Sequence, residues 1–441
     1  MELNVLLCIV ERQILQDLKV WQHRKGRKPL ILHGARQVGK THILKYFGST
    51  CFSNTAYINF EENTLARQLF EQQNGLSSLL SDLELLVNQR IQPQTTLLIL
   101  DEIQVCPAAL RTLKYFNEQV PELCIAAAGS LLGVAIYRDN YSFPVGQVDE
   151  LRLHAMSFDE FLDAHGQHAL QQKISECYQK SAQMPSALHS LALMWFKQYQ
   201  IVGGMPEVVK TYIASKSYYE VRSVQQSILN NYIADMAKYA QPNISVKIMA
   251  CFNSIPTQLA KENAKFQYKV VQRGGTASLF GESIHWLIAA GLVYSCTLVE
   301  QASLPLAAYL NLASFKLYLH DVGLLCAHAS VPANLLLSNM PLQNQFLGAL
   351  AENAAAQALH ANGHKLYYWR SKSDAEVDFL LQQEMLITPV EVKKGKHVRS
   401  RSLNSYMQIN NPINAIRISE KNFGIENNIK SVPSYAMWCI K

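Results

Sequence analysis

Residues 1–160 alternate short apolar runs with longer amphipathic stretches. Leu30–His33, Ala56–Phe60, Leu97–Leu100, Cys124–Ala128 and Leu151–His154 read as strands. Leu97-Leu98-Ile99-Leu100 is apolar at every position, the pattern of a strand buried on both faces of a parallel sheet. Between these runs, Asn63–Asn74, Ser77–Gln89 and Ala108–Val120 space their apolar residues for helices. Strands alternating with helices predict an α/β layered domain. Ser157-Phe158-Asp159-Glu160 has the spacing of a helix capping box, so the first domain closes near residue 160.

Residues 161–245 read as a helical lid or connector. Ile201-Val202-Gly203-Gly204-Met205-Pro206-Glu207 interrupts it, with Gly-Gly stopping one helix and Pro206 restarting the next. Residues 246–300 form a compact module. Ser254-Ile255-Pro256-Thr257 starts one helix there, Ser278 to Ala290 gives another, and Gly291-Leu292-Val293-Tyr294 is a short strand. That order predicts a winged-helix-like module, followed by a connector over 301–345.

The last segment, 346–441, returns to strand periodicity. In Ala375–Leu381, Glu376 and Asp378 share one face while Val377, Phe379 and Leu381 share the other. In Pro389–Lys394, Glu391 and Lys393 share a face opposite Val390 and Val392. The turn between them, around Gln382–Met385, lacks the Gly or Asn that a tight hairpin favours. Gly348 to Ala361 reads as a helix with Glu352 in its first turns. The fold class is α/β throughout: a parallel sheet, a helical and winged-helix region, and a C-terminal α/β domain.

Composition narrows the function classes. Hydrophobic residues at 49% and charged residues at 17% describe packed cores, not disorder. Lys plus Arg at 40 against Asp plus Glu at 34 gives +6, which permits nucleic-acid binding without arguing for it. The 9 cysteines are scattered with no C-x-x-C pair, so neither a zinc knuckle nor a disulfide framework is indicated, and a reduced, cytoplasmic setting is expected. Trp286 to Val299 is too short to cross a bilayer, and the run Val5 to Val10 lacks a basic leader.

The first candidate chemistry sits where the Leu30–His33 strand ends. Gly34-Ala35-Arg36-Gln37-Val38-Gly39-Lys40-Thr41 is a complete G-x-x-x-x-G-K-[ST] string that opens a helix. Free backbone amides and a helix N-terminus gathered around one point bind polyphosphate. Lys40 reaches the terminal phosphates and the Thr41 hydroxyl is placed for Mg²⁺. Asp101-Glu102 ends the third strand, on the same carboxyl edge of the sheet. Asp101 suits the Mg²⁺ shell, and Glu102 suits orienting or deprotonating a water. An extra strand between the loop strand and the Asp-Glu strand resembles the additional-strand class of P-loop ATPases, and Gly129-Ser130 ends the fourth strand where that class carries a polar sensor for the γ-phosphate. Arg111, Arg138 and Arg152 are candidates for an arginine finger, with nothing to separate them. ATP binding with Mg²⁺-dependent hydrolysis is expected, and Pro206 is a candidate lid contact to the nucleotide.

The second constellation is C-terminal. Asp378, Glu391 and Glu352 are candidate Mg²⁺ ligands, and Lys393 is placed to position a water or stabilise developing charge. Lys393, Lys394, Lys396, Arg399 and Arg401 form a basic cluster suited to a nucleic-acid backbone. Lys261, Lys265, Lys269 and Arg273 could meet phosphates from the winged-helix-like module. An E-x-K string alone also arises on a solvated sheet face, so the added acids and basic cluster carry the reading.

Taken together, these segments resemble the prokaryotic AAA-type P-loop ATPases that carry an uncharacterised C-terminal domain of the PD-(D/E)XK nuclease-like superfamily. The likeness runs from Arg12 to about Tyr406 and rests on Pro29–Thr41, Leu97–Glu102, Phe143–Leu162, Ile201–Val209, Phe315–Leu325, Tyr367–Leu380 and Pro389–Gly395. It implies ATP binding and hydrolysis, a winged-helix segment and a nuclease-like C-terminal fold. Gln147 stands where the pattern suggests a basic residue. The sequence thus points to an ATPase coupled to a metal-dependent nuclease-like module acting on DNA. Its alternative is a nucleotide-regulated switch or scaffold with a silent C-terminal domain. An oligomer would be needed if the arginine finger comes in trans.

Overall fold

The computed structural model describes residues 12–72, 75–130, 132–134, 143–261, 264–338, 345–371, 375–395 and 401–441. The sequence readings on Val5–Val10, Arg138, Lys396 and Arg399 lie outside these residues. The chain forms two compact units, one of Met1–His154 with Ala289–Gly291, the other of Ala155–Ile288 with Leu292–Lys441.

In the first unit, helix α1 (Ile14–His23) leads into strand β1 (Leu30–His33), α2 (Lys40–Cys51), β2 (Asn54–Asn59), α3 (Thr64–Glu71), α4 (Leu76–Val87), β3 (Thr96–Asp101), α5 (Pro107–Gln119), β4 (Cys124–Ala128) and β5 (Asp149–Arg152). The five strands are parallel in the order β2-β3-β4-β1-β5. Every residue of β3 is buried, as its unbroken apolar run predicts. Ile31, Ile58, Leu98 and Leu100 pack with Phe60, Phe70, Leu83, Leu110 and Phe116 in one core. Burying each such side chain contributes about 1.5–3 kcal/mol. The Asn63 side chain accepts the Ala66 N–H at 2.9 Å and caps α3. Pro107 opens α5, where a missing N–H costs nothing.

In the second unit, helices come first: α6 (Phe158–Ala164), α7 (His168–Lys180), α8 (Ser186–Val202), α9 (Pro206–Ser215), α10 (Tyr218–Tyr239), α11 (Pro242–Leu259), α12 (Tyr268–Val271) and α13 (Ala277–Ala289). The sequence reading started a helix at Ser254-Ile255-Pro256-Thr257; instead Pro256 lies inside α11, which begins at Pro242. Ile248, Cys251, Phe252, Ile255 and Leu259 form one buried face across Pro256, and that burial outweighs a proline so close to the helix end.

Strands β6 (Val293–Val299) and β7 (Leu310–Leu319) then pair antiparallel. After them come α14 (Val322–His328), α15 (Ala333–Leu337), α16 (Gln345–Ala361), β8 (Tyr367–Arg370), β9 (Glu376–Gln383), β10 (Leu386–Val392), α17 (Arg401–Asn410), β11 (Ala415–Ser419), β12 (Gly424–Glu426) and β13 (Ile429–Pro433). All eight strands form one mixed sheet in the order β12-β13-β11-β10-β9-β8-β6-β7. The short strand read at Gly291–Tyr294 as part of a winged-helix-like module instead leads into β6, which hydrogen-bonds to β8 and belongs to the C-terminal sheet. β9 and β10 pair antiparallel, with Val390 opposite Phe379. Glu384 closes their turn at φ 51°, taking the left-handed position that Gly or Asn would favour.

Candidate functional site

The phosphate loop is shaped by three residues in unusual backbone positions. Gly34 has φ +150°, and a Cβ there would lie 2.3 Å from the Leu153 carbonyl oxygen. Gln37 and Gly39 have φ of 67° and 97°. Arg12, buried, ties the loop to its neighbours by donating to the Val38 carbonyl at 3.4 Å and the His154 carbonyl at 2.7 Å. The Lys40 ammonium folds back onto the loop and donates to the Gly34 and Ala35 carbonyls at 2.9 and 2.8 Å. Burial pushes it down to about 8, against the pull of Glu102 and Asp101. Two neutral carbonyls take two of its donors and offset its charge less than a bonded anion would, so an incoming phosphate would be a better partner.

Across the loop, the Thr41 hydroxyl donates to Asp101 Oδ2 at 2.7 Å, and the Tyr57 hydroxyl donates to the same oxygen at 3.0 Å. Thr41 and Asp101 thus present adjacent oxygens, an arrangement that fits Mg²⁺. Glu102 has left-handed backbone, φ 52°, a strained setting of the kind found at functional sites. Gln104 Nε2 donates to Glu102 Oε2 at 2.6 Å and the Ser130 hydroxyl approaches the same oxygen at 3.4 Å. β4 lies between β1 and β3, so Lys40, Thr41, Asp101, Glu102 and Ser130 share the carboxyl edge of one sheet. Gln147 accepts from Asn117 Nδ2 at 2.6 Å, a neutral pairing where a charge was anticipated. Arg111 lines a surface pocket of about 320 Å³ between α3, α4 and α5, while Arg152 stands exposed on β5.

A part of this unit that local sequence did not disclose is Ala289–Gly291. A Cβ on Gly133 would lie 2.4 Å from the Ala289 carbonyl oxygen, and one on Gly291 would lie 3.5 Å from the Ala35 N. The turn ending α13 therefore rests beside the phosphate loop.

In the second unit, the Gly203-Gly204 interruption is held from a distance. Fully buried Asp321 accepts the Gly204 N–H at 2.7 Å and the Leu324 N–H at 2.8 Å. Burial pushes its carboxyl up to about 6. Gly203 has φ +76°, and a Cβ there would collide with the Asp321 carboxylate. Pro206 is the first residue of α9.

Glu352 and Asp378 accept hydrogen bonds from the protein, while buried Glu391 has the Lys393 ammonium beside it without an aligned hydrogen bond to either oxygen. Glu352, on α16, lies 3.5 Å from the Lys316 ammonium and accepts the Tyr318 hydroxyl at 3.1 Å. Lys316 also sits 2.6 Å from Glu376. Asp378 Oδ2 accepts the Val392 N–H at 2.7 Å. Burial and then the Glu352 charge push the Asp378 carboxyl far up, favouring its protonated form. Glu391 is fully buried, with the Lys393 ammonium 3.0 Å from Oε1. Lys393 is itself 38% exposed. Among the described residues, no three His, Cys, Asp or Glu side chains form a metal-binding group. Glu352, Asp378 and Glu391, the anticipated Mg²⁺ ligands, lie close enough for Glu352 to act on Asp378, and a lysine, a backbone amide and a second lysine stand beside them. With Lys316 between Glu352 and Glu376, these acids do not form a three-carboxylate group for a divalent ion.

Lys316, Tyr57, Gln104 and Asp321 were missed from sequence. Lys316 alone carried a signal, a single lysine in the otherwise apolar run Phe315-Lys316-Leu317-Tyr318-Leu319.

Comparison with known proteins fits this division. Residues 26–162 match the family described as AAA domain, 194–335 a domain of unknown function (DUF8612) and 347–437 another (DUF4143). The first unit thus pairs a match to the AAA domain family with the parallel sheet and phosphate loop of the P-loop NTPase fold. The chain is similar to a Walker-type ATPase of Pyrococcus abyssi, at 14% identity over 73% of this chain and 96% of that one, with a TM-score of 0.45. It is also similar to the Aeropyrum pernix ORC2 protein, at 13% identity over 76% and 92% of the two chains, TM-score 0.33. A third is the RuvB Holliday junction branch migration motor of Thermotoga maritima, at 12% identity over 67% and 88%, TM-score 0.30. No curated protein matches the chain. Among the described residues, no helix is long and apolar enough to cross a membrane.

Proposed function

We propose that this protein hydrolyses ATP with Mg²⁺ at the phosphate loop and uses the cycle to control a C-terminal module that engages a nucleic-acid backbone. The observation that carries the first part is the Lys40 ammonium resting on the Gly34 and Ala35 carbonyls, beside Thr41 and Asp101. Lys40 exchanges those carbonyls for the terminal phosphates, and the loop amides from Ala35 to Thr41 cradle the rest of the polyphosphate. Thr41 and Asp101 hold Mg²⁺, which when bound neutralises phosphate charge. Glu102, released from Gln104, orients the attacking water and accepts its proton, and Ser130 donates toward the γ-phosphate. Pro206, at the start of α9, is the proposed lid contact.

The second part is supported by Lys393, Lys394 and Arg401, basic residues at the end of β10 and the start of α17. The order α16-β8-β9-β10-α17-β11, with β10 and β11 parallel, supports a nuclease-like reading of this module. Backbone cleavage is the second reading, favoured by Asp378, Glu391 and Lys393 lying on and just beyond adjacent strands.

The test is purified protein assayed for ATP turnover, with Glu102→Gln expected to bind ATP and not hydrolyse it. DNA binding is followed by fluorescence anisotropy across a salt series. Absence of turnover in the unaltered protein removes the first part. Absence of salt-dependent DNA binding removes the second. Asp378→Ala with Glu391→Ala separates the readings, since only cleavage predicts loss of product with ATPase activity retained.

A further inference from the structure

We propose that Lys316 is the resident cation of the C-terminal acidic cluster, holding Glu352 and Glu376 together as a divalent ion would and keeping the site assembled without metal. This rests on the cluster's geometry and is independent of whether ATP is hydrolysed. Lys316 comes from β7, outside the helix and strands that carry the anticipated metal ligands. Its side chain is 1% exposed, and its ammonium bridges Glu376 at 2.6 Å and Glu352 at 3.5 Å. An ammonium is a compact point charge with three donors, so it can tie two carboxylates from different elements, as a metal ion does.

Burying such a charge is costly unless it is paired, and breaking the pair strands the remaining charge in the interior. Here the pairing is reinforced from both sides. The Tyr318 hydroxyl holds Glu352, and the Tyr368 ring lies 5.2 Å from the ammonium. On α16, next to Glu352, the Asn353 amide bonds both the N–H and the carbonyl of Leu319 at 2.8 and 2.9 Å. That clamp fixes the helix carrying Glu352 to the strand carrying Lys316, so the ion pair is set by the fold and not by two mobile side chains. A divalent ion at Glu352 would compete with the Lys316 ammonium for that carboxylate.

The acids Glu352 and Glu376 therefore serve to hold the interior together.

The experiment is a Mn²⁺ titration of the full chain without nucleotide, read by electron paramagnetic resonance of free Mn²⁺ and by thermal melting. The unaltered protein is expected to take up no Mn²⁺ that depends on Glu352 or Asp378, and its melting temperature to stay put. Lys316→Gln is expected to melt lower and to be restored by Mn²⁺, binding it at least about tenfold more tightly than the unaltered protein. Adding Glu352→Gln should abolish that gain. Mn²⁺ binding by the unaltered protein that disappears on Glu352→Gln or Asp378→Asn would overturn the proposal. So would a folded Lys316→Gln that ignores Mn²⁺. If Lys316→Gln does not fold, the titration of the unaltered protein against Glu352→Gln still decides.

Discussion

Each unit of this protein buries a lysine, and the two are in opposite electrostatic states. Lys40 rests on neutral carbonyls, and burial holds its ammonium down at about 8. Lys316 rests between carboxylates, and despite burial Tyr318 and then the Glu352, Glu376 and Asp378 charges hold its ammonium well above the ordinary lysine range. The first is a socket whose cation is bonded to carbonyls, with Glu102 and Asp101 only nearby. The second is closed, because its anions are built in. The same residue type thus gives a ligand site in one place and an internal tie in the other, and the difference lies in whether the protein supplies the countercharge.

The comparison breaks most readily at the two lysines. Lys40→Ala should weaken ATP binding by at least about 100-fold, as expected for losing charge-assisted bonds to phosphate, and calorimetry measures it. Its folding stability should stay the same or rise, since a poorly compensated buried charge is removed. Lys316→Met should do the reverse. It leaves ATP affinity unchanged and lowers unfolding free energy by about 3–5 kcal/mol in a denaturant titration, because Glu352 and Glu376 lose their cation. Equal effects of the two substitutions on stability would end the distinction.

A smaller loss is expected at Asp321. Asp321→Ala leaves the buried Gly204 and Leu324 N–H groups unmet and should cost roughly 2–4 kcal/mol, seen in the same titration.

The pH dependence sharpens the contrast further. In the free protein the Lys40 ammonium loses its proton above about pH 8, whereas bound phosphate would keep it protonated. ATP binding should therefore take up a proton above pH 8, and affinity should fall up to about tenfold per pH unit between there and the ordinary lysine value. Below pH 8 this group contributes no slope. Calorimetry in buffers of different ionisation heat detects the proton, and its absence at pH 9 would contradict the socket picture.

The smallest effect belongs to the turn beside the loop. Gly291→Ala forces a Cβ onto a left-handed backbone next to Ala35 and should weaken ATP binding only a few-fold, on the order of 1 kcal/mol.

Legibility followed the range of the interactions. The phosphate loop, Asp101-Glu102 and the parallel sheet were readable because each depends on residues close in sequence and on strand periodicity. The Pro256 reading failed because a long buried face outweighed a local breaker. The winged-helix-like boundary failed because β6 finds its partner in β8, far along the chain, and periodicity does not say which strands pair. Glu352, Asp378, Glu391 and Lys393 were correctly placed on a helix and neighbouring strands, yet their partners were not legible. Tyr57 reaches Asp101 from the adjacent strand, and Lys316 reaches Glu352 and Glu376 from another.

By itself the sequence determined a strand–loop–helix phosphate cradle and an acidic strand end, because backbone conformation and local spacing suffice to build them. Only the tertiary structure decided that one set of acids stands ready beside a lysine bonded to neutral carbonyls while the other is already neutralised. Countercharge is a matter of which distant side chains share a buried space, and no local pattern encodes that.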